Sequence, residues 1–305
     1  MTVELDRLVD EHLARMPDEV RMRLAPMIAT DAADSWAREA LRAYLRYFTR
    51  LFEGGDAPAS AEAALADDLA NLAGTLRAGD AEAEIEDAEA SLRAGFADRG
   101  LRFLGGRTPP HFGAYVWSRT EARRFTVTLP GGDPEEVTVH FMHDFLIRGW
   151  LHWKTFGKEG AGGWYQQGDP AWDDGLYCVA DRYPEPLDRN RTFQVSLLGH
   201  EAQHVADHRA FPGLSSAELE YRAKLVELIG YGSVDDRLRF FLADAADDPT
   251  QPHPFAAHRI VGDLAGRLFD RSPNDDDWAS VAYGDIRRHA EELLSEDTAR
   301  LRQGG

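Results

Sequence analysis

Apolar residues recur at helical spacing through the first hundred positions. Leu5, Leu8, Val9 and Leu13 form one stripe, and Trp36, Leu41, Tyr44, Leu45 and Phe48 form another. Steps of three and four residues place such positions on one face of a helix. The run Gly54-Gly55-Asp56-Ala57-Pro58 interrupts the pattern, and alanine-rich acidic helices are expected from about 60 to 97. Near Leu101 the period changes to two. Arg124 to Leu129 and Glu136 to Phe141 alternate β-branched or aromatic with polar residues around Pro130-Gly131-Gly132-Asp133-Pro134, which predicts a hairpin. Phe145 to Phe156 reads as a short helix, Gly157 to Gly168 as a loop, and Gly175 to Ala180 as a further strand at a sheet edge. The glycine-rich loop lacks the Gly-Lys-Ser/Thr ending of a phosphate cradle. Helical spacing then returns, predicting helices over about 191–210, 216–231, 234–246, 255–270 and 276–302. The fold class expected is α+β, mainly helical, with a small twisted β-sheet packed against the helix that begins near 191.

Composition narrows the partners. The 305 residues carry a net charge of -19, whereas nucleic-acid phosphates and anionic membrane surfaces attract clustered Lys and Arg. Neither partner is expected. Cys178 is the sole cysteine, so no disulfide forms within the chain. The first residues, MTVELDRLVDEHLARM, bring in acids early and lack the apolar core of a signal peptide. No run approaches the length of apolar residues that spans a bilayer. A cytoplasmic protein without membrane attachment is the expectation.

The chemistry concentrates at His200-Glu201-Ala202-Gln203-His204. Residues four apart on a helix lie one above the other, separated by about 6 Å of rise. Both imidazoles can therefore grip one zinc ion, and Glu201 is placed to act on the water that zinc activates. Phe193 and Leu197 share the stripe, with Asn190 or Asp188 available as the helix cap. Catalytic zinc takes three protein ligands, so a third must come from elsewhere. His208 extends the same face but lies about 12 Å along the axis from His200. For it and for Asp207 the expectation is a surface position or a role in orienting an imidazole.

Phe211-Pro212-Gly213-Leu214 breaks the helix and invites an antiparallel return. Glu220 follows Pro212 by as many residues as His204 precedes it, and so returns level with the second histidine. Glu218 falls nearer the turn, and Ser215 with Glu218 fits a capping box. Against that, Glu218 projects closer to the middle of the apolar face of Tyr221, Leu225, Leu228 and Ile229. An ordinary surface pair with Lys224 is the unremarkable alternative for Glu220. The residues alone rank Glu220 first, then Glu218, then Glu227. Tyr231, His253 and His258 are candidate donors to a reaction oxyanion.

His-Glu-Ala-Gln-His followed by a helix bearing a glutamate resembles the gluzincin zinc metallopeptidases. Ser216-Ala217-Glu218-Leu219-Glu220-Tyr221-Arg222-Ala223 is similar to the third-ligand segment of the prenyl-protein endopeptidase group, and that match falls on Glu220. His200 to His208 also resembles the HExxHxxxH pattern of the ImmA/IrrE group. The chain departs from the prenyl-protein group in carrying Lys224 where that group has Asp, in its shorter spacer and in lacking membrane helices. The resemblance covers residues 191–231. It implies His200, His204 and Glu220 as ligands of Zn2+, Glu201 as general base, and a peptide or protein substrate. The organisation expected is a helical N-terminal region, 1–100, and a zincin-like metal-binding domain, 101–305. In the latter the sheet occupies 101–185, the metal helices 191–231 and the C-terminal helices 234–302. The expected function is a zinc-dependent metallopeptidase, a hydrolase in which an extended peptide adds to the strand at 175–180. The rival expectation is a non-catalytic regulatory or binding protein on the same scaffold, with structural zinc or an empty site.

Overall fold

A computed structural model describes residues 2–29, 34–74, 80–108, 110–132, 134–166, 168, 172–231 and 234–304. Its class is mixed α+β and mainly helical. Contacts divide the chain into two compact units, 1–121 with 141–162 and 122–140 with 163–305.

The first unit is built on helices α1 (Thr2–Arg15), α2 (Asp18–Ile28), α3 (Ser35–Thr49), α4 (Pro58–Ala73) and α5 (Ala81–Ala97). Helix α3 starts where the Asp34 carboxylate accepts from the Ala37 amide, and α5 where Asp80 does the same for Ala83. Between α3 and α4 the chain makes a π-helical turn, Arg50–Gly54, ended by Gly55 at φ 70°. Both stripes read from the sequence are buried: Val9 and Leu13 from α1 join Leu41, Tyr44, Leu45 and Phe48 from α3 in one core. Trp153 and Phe156 add to it, and stack on either face of the buried His12 ring at 3.9 and 4.4 Å. His12 also contacts the Trp153 carbonyl at 2.8 Å.

The strands are β1 (Arg102–Leu104), β2 (Arg107–Thr108), β3 (His111–Phe112), β4 (Tyr115–Thr128) and β5 (Pro134–Arg148), followed after α6 (Gly149–Lys154) by β6 (Gly163–Gln166) and β7 (Gly175–Val179). The main sheet has the order β1-β4-β5-β7-β6, while β2 and β3 pair separately. The hairpin sits where the alternation predicts it but is longer in both arms. Three expectations are corrected here. Phe145 to Arg148 continues β5, and only Gly149–Lys154 is helical; Gly149, at φ 68°, makes the corner. The strand at 175–179 is interior, between β5 and β6, so its backbone is already paired on both sides. The edge is β6, inside the stretch expected to be a loop; its four residues are too few to show a period.

In the second unit, a π-helical segment Thr192–Gly199 leads into α7 (His200–Ala210). There follow α8 (Ser216–Gly230), α9 (Val234–Asp244), α10 (Pro252–Leu268), α11 (Asp275–Ser280) and α12 (Tyr283–Gly304). The helix expected over 191–210 is therefore two segments of different winding. That expected over 276–302 is broken at Val281-Ala282, with α11 opened by an Asn274–Asp277 capping box. Phe125 of β4 meets Phe193 edge-on at 5.3 Å. A side chain on Gly163 of β6 would come within 3.3 Å of Leu197. The sheet thus touches the segment that carries α7. No helix among the described residues is long and apolar enough to cross a membrane.

Candidate metal centre

The Asn190 side chain accepts the Phe193 amide at 3.0 Å and so starts the turn that feeds the π-helical segment. His200 begins α7, and His204 lies one turn on. Phe211-Pro212-Gly213, with Gly213 at φ 111°, reverses the chain into α8. Ser215 and Glu218 form the capping box that their spacing predicts, with the Ser215 amide donating to Glu218 at 3.0 Å. Glu218 is thereby committed to the helix start, and its other neighbour is Arg300 at 3.8 Å. Glu220, two positions later, is buried and turned toward the histidines.

His200, His204 and Glu220 each bring one ligand atom into a single group. The two Nε2 atoms are 3.0 Å apart, and the Glu220 oxygens lie 3.4 Å from His200 Nε2 and 3.3 Å from His204 Nε2. Zinc bonds of about 2.0–2.2 Å give tetrahedral edges of about 3.3–3.6 Å. The triangle that the three side chains make is closed by both Glu220 oxygens, Oε2 toward His200 and Oε1 toward His204, and the donor set of two imidazoles and a carboxylate suits zinc. Glu220 Oε2 and His204 Nδ1 are buried with no well-aligned hydrogen bond.

Behind the triangle, Glu227 Oε1 lies 2.7 Å from His200 Nδ1 and is 1% exposed. A carboxylate only accepts, so Nδ1 carries the proton and Nε2 faces the triangle. Arg237 pairs with the other Glu227 oxygen. Burial opposes a charge on His200, but the carboxylates of Glu220 and Glu227 outweigh it and push the imidazole up to about 10. Burial likewise works against ionised Glu220, yet His200, His204 and His253 hold it well below the usual carboxylate range. A metal held at His200 Nε2 would require that nitrogen to be free of a proton.

His253, on the first turn of α10, has Nδ1 2.8 Å from Glu220 Oε2 and is 62% exposed. Its ring lies nearly parallel to that of His200, at 6.4 Å. Glu201 is half-buried on the β6 side. Burial first, then the charges of Asp174 and Glu201, raise the Tyr165 phenol. Tyr165 pairs across to Leu176, and Gly163 to Cys178. These are alternate positions of β6 and share one face, the face that touches Leu197.

The remaining candidates lie elsewhere. Asp207 accepts from Gln203 Nε2 at 2.8 Å and from Arg222 Nε at 2.9 Å, and Arg222 reaches Asp297 on α12 at 2.8 Å. That network ties α7, α8 and α12 together and orients no imidazole. His208 is exposed. Tyr231 accepts from Ser196 at 3.1 Å, and His258 lies 3.9 Å from Asp247. Lys224 is buried over the Phe241 ring at 4.9 Å and makes no surface pair with Glu220. Glu227, ranked third as a ligand, instead holds His200 through Nδ1. Its signal was present in the sequence: a carboxylate inside the apolar run Leu225-Val226-Glu227-Leu228-Ile229 needs a buried partner. Arg237 carried no such signal. The chain matches no protein-family model, no curated protein and no solved structure.

Proposed function

We propose that this protein is a zinc-dependent hydrolase, a metallopeptidase whose metal is held by His200, His204 and Glu220. The observation that carries the reading is the grouping of the two Nε2 atoms, 3.0 Å apart, with the two Glu220 oxygens, one 3.4 Å from His200 and the other 3.3 Å from His204, backed by Glu227 on His200. Three protein ligands are one short of the four that zinc takes, which suits a catalytic rather than a closed structural ion. When bound, zinc lowers the pKa of water toward neutrality and polarises a carbonyl.

The chain's own groups divide the remaining work. Glu201 accepts the proton of the attacking water and passes it to the leaving amine, so the carboxylate ends as it began. His253, exposed beside Glu220, supplies an N–H donor at the mouth of the site. Tyr165 supplies an O–H on the Glu201 side, kept protonated by burial and neighbouring negative charge. The outer edge of β6 offers unpaired backbone groups to an extended peptide, the role the sequence suggested for residues 175–180.

Glu201→Gln tests the reading directly. The variant should retain one equivalent of zinc by metal analysis while peptide hydrolysis falls about 10²–10⁴-fold. Full turnover in that variant would remove Glu201 from the mechanism. A chain that binds no zinc would remove the reading as a whole.

A further inference from the structure

A second concavity lies in the same unit. It is a groove of 920 Å³ bounded by the hairpin tip at Val127 to Gly131, the π-helical segment, α8 and α12. Its floor includes Val127, Leu129, Val195, Val226, Ile229 and Leu294. Arg287 and Arg302 stand at the two ends of the α12 wall, about 22 Å apart along the helix axis.

The lining excludes several ligand classes. No aromatic side chain lines the groove among the described residues, so bases, sugars and quaternary ammonium groups find nothing to stack on. Glu291 is its only carboxylate and already accepts from Arg287 at 2.9 Å, which leaves nothing to hold a metal. The Gln194 amide is spent on the Leu187 carbonyl and the Thr298 hydroxyl on that of Leu294. Three walls are helical, with backbone groups bonded internally, so an extended peptide could satisfy few of its own. What remains free is a lining about half apolar, the Thr128 and Ser295 hydroxyls and the guanidinium of Arg302, which has no partner among the described residues.

We infer that this groove binds a single-chain amphiphile with an anionic head, of the fatty-acid type, its carboxylate on Arg302 and its chain over the floor. A hydrocarbon chain needs no hydrogen-bond partners, and a carboxylate forms a two-point pair with a guanidinium. The groove also touches Gly199 and Val226, the residues next to His200 and Glu227, so its occupant lies against the backs of both metal-bearing helices. Binding itself requires no zinc.

Calorimetric titration of the full metal-free chain with dodecanoate, kept below micelle formation, should saturate at one equivalent. Ala299→Trp and Arg302→Glu, both at exposed lining positions, should each weaken binding about tenfold or more with the melting transition unchanged. Absence of saturable binding overturns the inference. So does equal affinity in both variants, or equal affinity for dodecyltrimethylammonium, whose head is cationic. A dimer of the ligand-free chain that Ala299→Trp dissociates would give the groove to a second copy and overturn it as well.

Discussion

Glu227 shows how a residue away from the reacting groups can set the quality of a metal site. Its carboxylate is nearly inaccessible, bonded to His200 on one side and paired with Arg237 on the other. It fixes both the ring orientation and the tautomer of His200, and it would raise the basicity of the other nitrogen toward the proposed metal. Glu227→Gln keeps the shape and removes the charge. Zinc affinity in a competition titration with a chromophoric chelator should fall about 10–100-fold, and an unchanged affinity would deny Glu227 this role. Glu220→Ala removes a ligand and should weaken zinc further still.

At the scale of elements, the capping box and the metal ligand separate two glutamates that the sequence left in competition. Glu218 and Glu220 lie two positions apart, yet one closes the start of α8 and the other faces two imidazoles. Ser215→Ala should therefore cost about 1 kcal/mol in denaturant unfolding and leave zinc affinity unchanged. A loss of zinc without a loss of stability would exchange their roles. Most of α8 was legible beforehand, because a helix breaker, a cap and an apolar stripe all announce themselves locally. The π-helical winding of Thr192–Gly199 was not, since it leaves no mark in a period of three to four. Strand β6 was hidden by its length and by flanking glycines, and β7 was misplaced because strand order depends on long-range pairing. The partner of Glu227 was foreshadowed by its apolar surroundings, but Arg237 lies on another helix and no local pattern joins them.

For the whole molecule, the acidic composition raises the question of how stability follows pH. Glu218 and Asp277 accept backbone amides at helix starts, which holds each below the usual carboxylate range. The stability they bring is present above their unfolded pKa and is lost as pH falls through the folded value. Glu89 runs the other way. It lies buried in α5, accepts from Tyr44 and from the Gly106 amide at 2.7 Å, and packs where a side chain on Gly105 would go. Burial, the largest influence, pushes its carboxyl up to about 7 despite those donors. Its contribution is complete below about 4.5 and is lost as pH rises through about 7, on the order of 3 kcal/mol across that window. Glu89→Gln should flatten that part of the profile, read as the melting temperature between pH 4.5 and 7.5. A wild-type profile without any decline in that interval would contradict the account. The mixed class and the helical dominance were legible in the sequence.

The division into two units has a consequence for biosynthesis. The ribosome releases the first unit in two instalments, residues 1–121 and 141–162, with the hairpin tip of the second unit between them. The first unit is incomplete until residue 162 has emerged, and the tip then waits for 163–305. No single cut yields either unit as one continuous fragment.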